Sequence, residues 1–293
     1  MKKVIGYLRL TRPANIVTAV ADILAGIAIS GFFLQSNHDY SHIAWLILAT
    51  IGLYGGGVAM NDVFDAELDA VERPERPIPS GLVSKTQGAT LGLLLLSFGV
   101  FFAFLVSAFS AALALLIALA ALSYDKWTKH HSFFGPLNMG ICRGLNLLLG
   151  LSIIHGQVHE YWFLALIPIV YIAAITMISQ GEVHGGKKPT LYAAALLYAL
   201  AMAGILYVSV SQDQQIVTAL FVLLWALMVF LPLRKAIRKP EGKMIGRAVR
   251  AGVLALILMN AAWASAFGVT YLALIILLLL PLSLLLARIF AVT

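Results

Sequence analysis

The chain has 293 residues, of which 61% are hydrophobic and 11% charged. A soluble domain must cover its surface with polar groups and typically carries about 25% charged residues, so a soluble enzyme, a disordered chain and a secreted disulfide scaffold are excluded. The net charge of +7 reads as charge placed around membrane spans, with no nucleic-acid partner needed, and the single cysteine, Cys142, can form neither an internal disulfide nor a multi-cysteine metal site.

Apolar runs of spanning length fall near 14–34, 42–60, 88–106, 109–123, 134–154, 161–179, 190–210, 215–233, 248–267 and 269–290, each close to the ~20 residues that cross a bilayer. The run over 88–122 is too long for one straight helix and is expected to divide near Ser107–Ser110. The run over 248–290 is expected to divide near Gly268. The first run lacks a small-residue cleavage site and reads as a helix, not a removable signal. The pattern predicts an all-α, polytopic membrane bundle of nine to ten transmembrane helices in a single integral domain, 1–293.

The basic residues alternate with this pattern. Nineteen of the twenty, from Lys2, Lys3, Arg9 and Arg12 through Lys126 and Lys129 to the 234–250 stretch and Arg288, fall on one side; Arg143 lies within a span. The intervening loops Gln35–Ser41, His155–Glu160 and Ser211–Gln215 hold no Lys or Arg. The positive-inside rule makes the basic side cytoplasmic. The expected location is a cell membrane, the bacterial inner membrane, with the N-terminus and the acidic cluster facing the cytoplasm.

That cluster is the informative segment. Six of the thirteen acids, Asp62, Asp65, Glu67, Asp69, Glu72 and Glu75, lie in one window at the inner end of the second span. On a helix that turns about 100° per residue, Asn61, Asp62, Asp65 and Asp69 share one face, and Glu72 joins them if the helix continues to Pro74. Anions on one face repel unless a cation sits between them. Oxygen ligands of this kind suit Mg²⁺, which is usually held by one or two carboxylates plus substrate phosphates. A solvated acidic face is the ordinary explanation of an acidic run; the position directly after an apolar span weighs against it. Arg73 and Arg76, before the turn Pro77-Ile78-Pro79-Ser80-Gly81, suit the phosphate oxygens a metal leaves free, and also serve as inner-side anchors.

The pattern Asn61-Asp62-x-x-Asp65-x-x-x-Asp69, followed by Arg73 and Arg76-Pro77-Ile78-Pro79-Ser80-Gly81, resembles the first signature of the UbiA superfamily of intramembrane prenyltransferases. Arg12-Pro13-x-Asn15 is similar to the family's N-terminal Arg-Pro, and Tyr124 to Lys129 to its inner loop after the fourth span. The resemblance implies transfer of a prenyl group from an isoprenoid diphosphate to an aromatic or other small lipophilic acceptor, with Mg²⁺ as cofactor and membrane lipid as surroundings. It assigns metal binding to Asp62, Asp65, Asp69 and Glu182, diphosphate binding to Asn61, Arg73, Arg76 and Lys129, and the catalytic positions to Asp65 and Asp69. No residue emerges as the acceptor's base.

The second family motif has two acids about four positions apart at the inner end of the sixth span. Here Glu182 matches the second acid, and Ile178 falls at the first. This departure motivates an alternative in which the chain is a non-catalytic carrier or scaffold for a lipid or metabolite. His184 is a candidate replacement ligand, and Gly185-Gly186-Lys187-Lys188 a weak phosphate-binding pattern. The segments Ser179–Gly186 and Met139–Asn146 are similar to the superfamily's EboC branch. Inside the spans, Asp22, Asn138, Arg143 and Asn146 are costly unless paired or hydrated; Asp22 and Arg143 are a candidate pair. Gly55-Gly56-Gly57 favours close helix packing.

Overall fold

A computed structural model describes residues 2–34, 39–182 and 185–290. Its helices, in chain order, are α1 Lys2–Thr11, α2 Pro13–Ile29, α3 Ser41–Phe64, α4 Ala66–Glu72, α5 Lys85–Phe104, α6 Ala108–Ser123, α7 Phe134–Leu151, α8 His155–Tyr161, α9 Leu166–Ser179, α10 Lys188–Ser211, α11 Gln215–Arg238, α12 Gly242–Ala266 and α13 Thr270–Ile289. No strand occurs among the described residues. Nine helical stretches among those residues are long and apolar enough to cross a membrane. The 18-residue α7 is packed among them against α2, α6 and α9; Asn138, Arg143 and Asn146 lower its hydropathy.

Side-chain distribution explains the assembly. α2 and α12 are the most enclosed helices and touch each other at the centre. Around α12, which itself carries the buried Trp263, pack the large buried side chains Trp225, Tyr171 and Tyr198, and the Tyr171 hydroxyl donates to the Gly252 carbonyl at 2.8 Å. The outer helices are apolar on their exposed faces as well, for example Leu93, Leu94, Phe98 and Phe101 on α5 and Leu220, Leu223 and Leu227 on α11. In water such faces would be an aggregation hazard; against lipid tails they are the expected surface, because every backbone polar group is satisfied within its own helix.

Close helix contacts set the position of α3, which carries the acidic cluster. Gly52 and Gly56 face Gly99 and Gly92 of α5, and a Cβ on Gly52 would lie 2.6 Å from the Leu95 carbonyl oxygen. Small residues at this spacing let two helix backbones approach directly. The long apolar run after α4 breaks at Ser107, whose hydroxyl accepts from the Ser110 backbone N–H at 2.9 Å and starts α6.

Candidate active site

The N-terminal contribution comes from a kink. Arg12 joins α1 to α2 with a left-handed backbone (φ 46°, ψ 68°), an unusual conformation for a side-chain-bearing residue, and Pro13 starts α2. Its guanidinium donates to Asp62 Oδ1 at 2.8 Å, so the strained junction ties the start of the chain to the end of α3.

The acidic segment is not one continuous helix. α3 ends at Phe64, Asp65 (φ −87°, ψ 1°) breaks the run, and α4 starts at Ala66 and ends at Glu72, where Arg73 leaves the helix before Pro74. The face therefore bends at Asp65, and its acids take different partners. Asp62 and Asp69 remain together, joined by Arg76 Nη1, which donates to Asp69 Oδ2 at 2.7 Å and to Asp62 Oδ1 at 3.4 Å. Asp65 pairs with Lys129 Nζ. The turn that returns Arg76 to the acids is held by backbone bonds from Ser80 to Arg76, Gly81 to Ile78 and Val83 to Pro77, and Gly81 (φ +74°) occupies a left-handed position that favours glycine. A capping box between Ser84 and Gln87 then begins α5.

At the end of α6 a π-turn over Tyr124–Thr128 adds a residue to the helical repeat. It brings in Lys129 and also Asp125, which is buried and accepts from Asn61 Nδ2 at 2.8 Å. Asp125 was not among the sequence-predicted site residues. Its signal, an acid directly after Tyr124 at the inner end of an apolar span, was present in the chain.

Glu182 enters from the opposite wall, in the turn after α9. Its Oε1 is buried without a hydrogen-bond partner. Burial pushes its carboxyl above the usual carboxylate range, and the Arg73 charge pulls it partly back. Ile178 is 1% exposed and packed in the hydrophobic core. The positions of this segment that line the cavity are Ile172, Ile175, Thr176, Ser179 and Glu182. An acid at position 178 would point away from the site, so the apolar residue there takes no ligand from the cavity. His184 lies outside the described residues.

These elements enclose a mouth cavity of about 380 Å³, lined by Asn61, Asp65, Asp69, Arg73, Arg76, Lys129 and Glu182 among others. Of the expected site residues, Asp62 alone does not line it; 3% exposed, it sits behind the wall between Arg12 and Arg76. A second cavity of about 220 Å³ continues inward between α3, α6 and α7, with Leu53, Ile117, Ala121 and Cys142 on its walls. Arg12, Tyr54, Asn61, Tyr124, Met139 and Arg143 line both.

Among the described residues no three acids, histidines or cysteines converge closely enough to hold a metal by themselves. The donor set nevertheless fits Mg²⁺. Asn61, Asp65 and Asp69 on one wall and the unpartnered Glu182 oxygen on the other are all oxygen donors, and Mg²⁺ takes one or two carboxylates and completes its shell with water and phosphate.

Deeper in the bundle, Asp22 gathers a polar network. Its Oδ2 accepts from Arg143 Nη1 at 2.7 Å and from Asn146 Nδ2 at 3.1 Å, and its Oδ1 from Asn260 Nδ2 at 2.7 Å. Arg143 also donates to Thr18 Oγ1 at 2.8 Å and lies over the Tyr54 ring. Within a bilayer such groups persist only when paired with one another.

A helical bundle with lipid-facing flanks and one charged mouth at its end is an integral, multi-pass membrane protein. Residues 23–251 match the UbiA prenyltransferase family, and the chain belongs to that family. A digeranylgeranylglyceryl phosphate synthase from Methanothrix thermoacetophila is 37% identical over 143 residues, covering 49% of this chain and 52% of the relative. One from Saccharolobus solfataricus is 29% identical over 178 residues, covering 59% and 60%. The chain thus spans about half to three fifths of the length of these curated relatives. Its fold is that of a structure from work on digeranylgeranylglyceryl phosphate synthase in membranes (TM-score 0.67, 20% identity, 92% of this chain and 100% of that one). It is also that of a UbiA homologue from Archaeoglobus fulgidus bound to GPP and Mg²⁺ (TM-score 0.66, 15% identity, 91% and 99%).

Proposed function

We propose that this protein is a Mg²⁺-dependent prenyltransferase that moves an isoprenoid group from a prenyl diphosphate to a lipophilic acceptor, at a mouth facing the cytoplasm. The observation that carries this reading is the single cavity in which Asn61, Asp65 and Asp69 face Glu182, with Arg73, Arg76 and Lys129 on the same rim and an apolar chamber behind. The relatives named for a prenylated glyceryl phosphate, and the Archaeoglobus fulgidus homologue bound to GPP and Mg²⁺, support it.

Asp65, Asp69 and Glu182 hold the metal in this reading, and Asn61 the diphosphate beside it. Bound there, Mg²⁺ supplies positive charge to diphosphate oxygens as the leaving group becomes more anionic. Arg73, Arg76 and Lys129 neutralise the oxygens that remain, as charge-assisted donors in a site of low water content. Asp62 acts from behind, holding Arg12 and Arg76 in place. The prenyl tail lies in the inner chamber, where Leu53, Ile117 and Ala121 keep water from the allylic carbocation that forms as the C–O bond to diphosphate breaks. The carrier alternative rests on the apolar residue at position 178; the acids and cations gathered around one cavity with Glu182 support the transferase reading over it.

The test is diphosphate release from a panel of isoprenyl diphosphates by the purified protein, with and without Mg²⁺. Asp65→Ala abolishes the Mg²⁺-dependent release. Turnover unchanged in that variant, or independent of divalent metal in the unaltered protein, removes the assignment.

A further inference from the structure

The chamber behind the mouth has a floor. α3 and α6 bring their C-terminal ends to the mouth and α7 its N-terminal end, so the lining residues farthest from the mouth on these helices are Thr50, Ile117 and Asn146. At about 1.5 Å of rise per residue, Asn61 to Thr50 is about 16 Å along α3, and Tyr124 to Ile117 and Met139 to Asn146 are each about 10 Å. One helical turn beyond the floor lie Leu46, Leu113 and Leu149, buried in a packed core.

The floor is polar where the walls are apolar. Thr50 Oγ1 donates to Asn146 Oδ1 at 2.8 Å, bridging α3 and α7. Asn146 Nδ2 donates in turn to the Ala19 carbonyl at 3.0 Å and to Asp22 Oδ2, the carboxylate that holds Arg143. An alkyl side chain can turn aside at little cost. A tail pressed through this floor would instead break buried hydrogen bonds one link away from an ion pair, and would leave their polar groups desolvated.

Volume and depth agree on what fits above it. A cavity of about 150 Å³ takes one benzene, about 25 Å³ per carbon, so the chamber of about 220 Å³ takes roughly nine carbons. Four chain bonds near 1.5 Å make an extended isoprene unit about 5 Å long, so the depth takes about two to three units.

We infer that the Thr50–Asn146 bond, with Ile117 beside it, closes the chamber at a ten-carbon tail and makes this protein selective for a ten-carbon isoprenyl diphosphate over fifteen- and twenty-carbon donors. The inference rests on the prenyl-transfer reading and names the donor class for that site.

The test is binding of thiolodiphosphate analogues of the five-, ten-, fifteen- and twenty-carbon donors, whose C–S bond resists cleavage, to the full chain in phosphatidylcholine nanodiscs with and without Mg²⁺. Affinity rises by about a hundredfold from the five- to the ten-carbon analogue, as burial of the added carbons allows, and falls about tenfold or more at the two longer ones. Ile117→Ala deepens the chamber on the α6 side and moves the optimum to fifteen carbons. Ala121→Leu, one turn nearer the mouth on the same helix face, fills it and moves the optimum to five. Partition of long tails into the bilayer is the same for every variant and cancels from the ratios between variants. A shift in the stated direction with either substitution sustains the inference, so one variant that fails to fold does not remove the test. An optimum at fifteen or twenty carbons in the unaltered protein, affinity independent of length, or an optimum that neither substitution moves overturns it, because the tail then leaves the chamber sideways. Absence of Mg²⁺-dependent affinity for all four analogues sinks the prenyl-transfer reading and the length limit with it, whereas such affinity without the length pattern sinks the length limit alone.

Discussion

Arg143 and Asp22, 121 residues apart in the chain, meet at 2.7 Å in the centre of the bundle, and each is almost fully buried. The pair joins α7 to α2, and Asn260 brings α12 to the same carboxylate. Removing one partner leaves a buried charge without compensation, at a cost of about 3–5 kcal/mol. Asp22→Leu and Arg143→Met should therefore each lower the unfolding midpoint in detergent sharply. The double variant, which buries no unpaired charge, should lose clearly less than the sum. Strict additivity of the two losses would show that the pair is not coupled.

The α3–α5 contact predicts a contrast between two neighbouring glycines. A Cβ at Gly52 meets backbone atoms of α5 at 2.6 and 2.9 Å, while one at Gly55 meets only side-chain carbons at 3.5 Å or more. Gly52→Val should destabilise by about 1–3 kcal/mol, and because α3 carries Asn61 and Asp62, it should lower transfer as well. Gly55→Ala should stay within about 0.5 kcal/mol. Thermal unfolding followed by circular dichroism separates the two; equal effects would place α3 differently against α5.

The bond from Asn61 to Asp125 predicts a positioning role for Asp125. The bond from Nδ2 to Asp125 fixes the orientation of the Asn61 amide in the cavity that Asn61 lines. Asp125→Ala frees the amide to rotate and should lower kcat/KM about tenfold, equivalent to ~1.4 kcal/mol of transition-state stabilisation. Asp125→Asn keeps an accepting oxygen and should restore most of it. Steady-state kinetics on both variants provide the check, and an Asn variant as impaired as the Ala variant would point to a role for the charge itself.

The contrast between what the chain announced and what it concealed follows from the range of the interactions. The apolar runs and the segment Asn61 to Asp69 are local patterns, and they carried the all-α membrane class and the location of the acids. The break at Asp65 was concealed because helix periodicity assumes continuity, whereas Asp65 turns to Lys129 and Asp69 to Arg76. Asp125 depends on a π-turn that shifts the register by one residue. The partner Asn260 lies 238 residues from Asp22, beyond any spacing argument. The direction of Ile178 is fixed by packing of α9 against the core, a long-range contact that motif spacing does not contain.

Positions 178 and 179 predict opposite outcomes for Mg²⁺ held at the mouth. The family resemblance puts an acid at position 178, but the cavity is lined by Ser179, one residue later. Ile178→Asp places a carboxylate among core side chains with nothing to pair it, a change that costs several kcal/mol, and it should reduce the yield of folded protein. Ser179→Asp sets the new carboxylate on the cavity wall near Glu182, at the expense of one hydrogen bond to the Thr176 carbonyl. More carboxylate ligands raise divalent-cation affinity, so the half-saturating Mg²⁺ concentration should fall, by about tenfold. Titration of Mg²⁺ against diphosphate release decides between the positions. If Ile178→Asp folds normally and tightens Mg²⁺ while Ser179→Asp does not, α9 is rotated about one residue from the orientation described, and Glu182 would lose its place opposite Asp65.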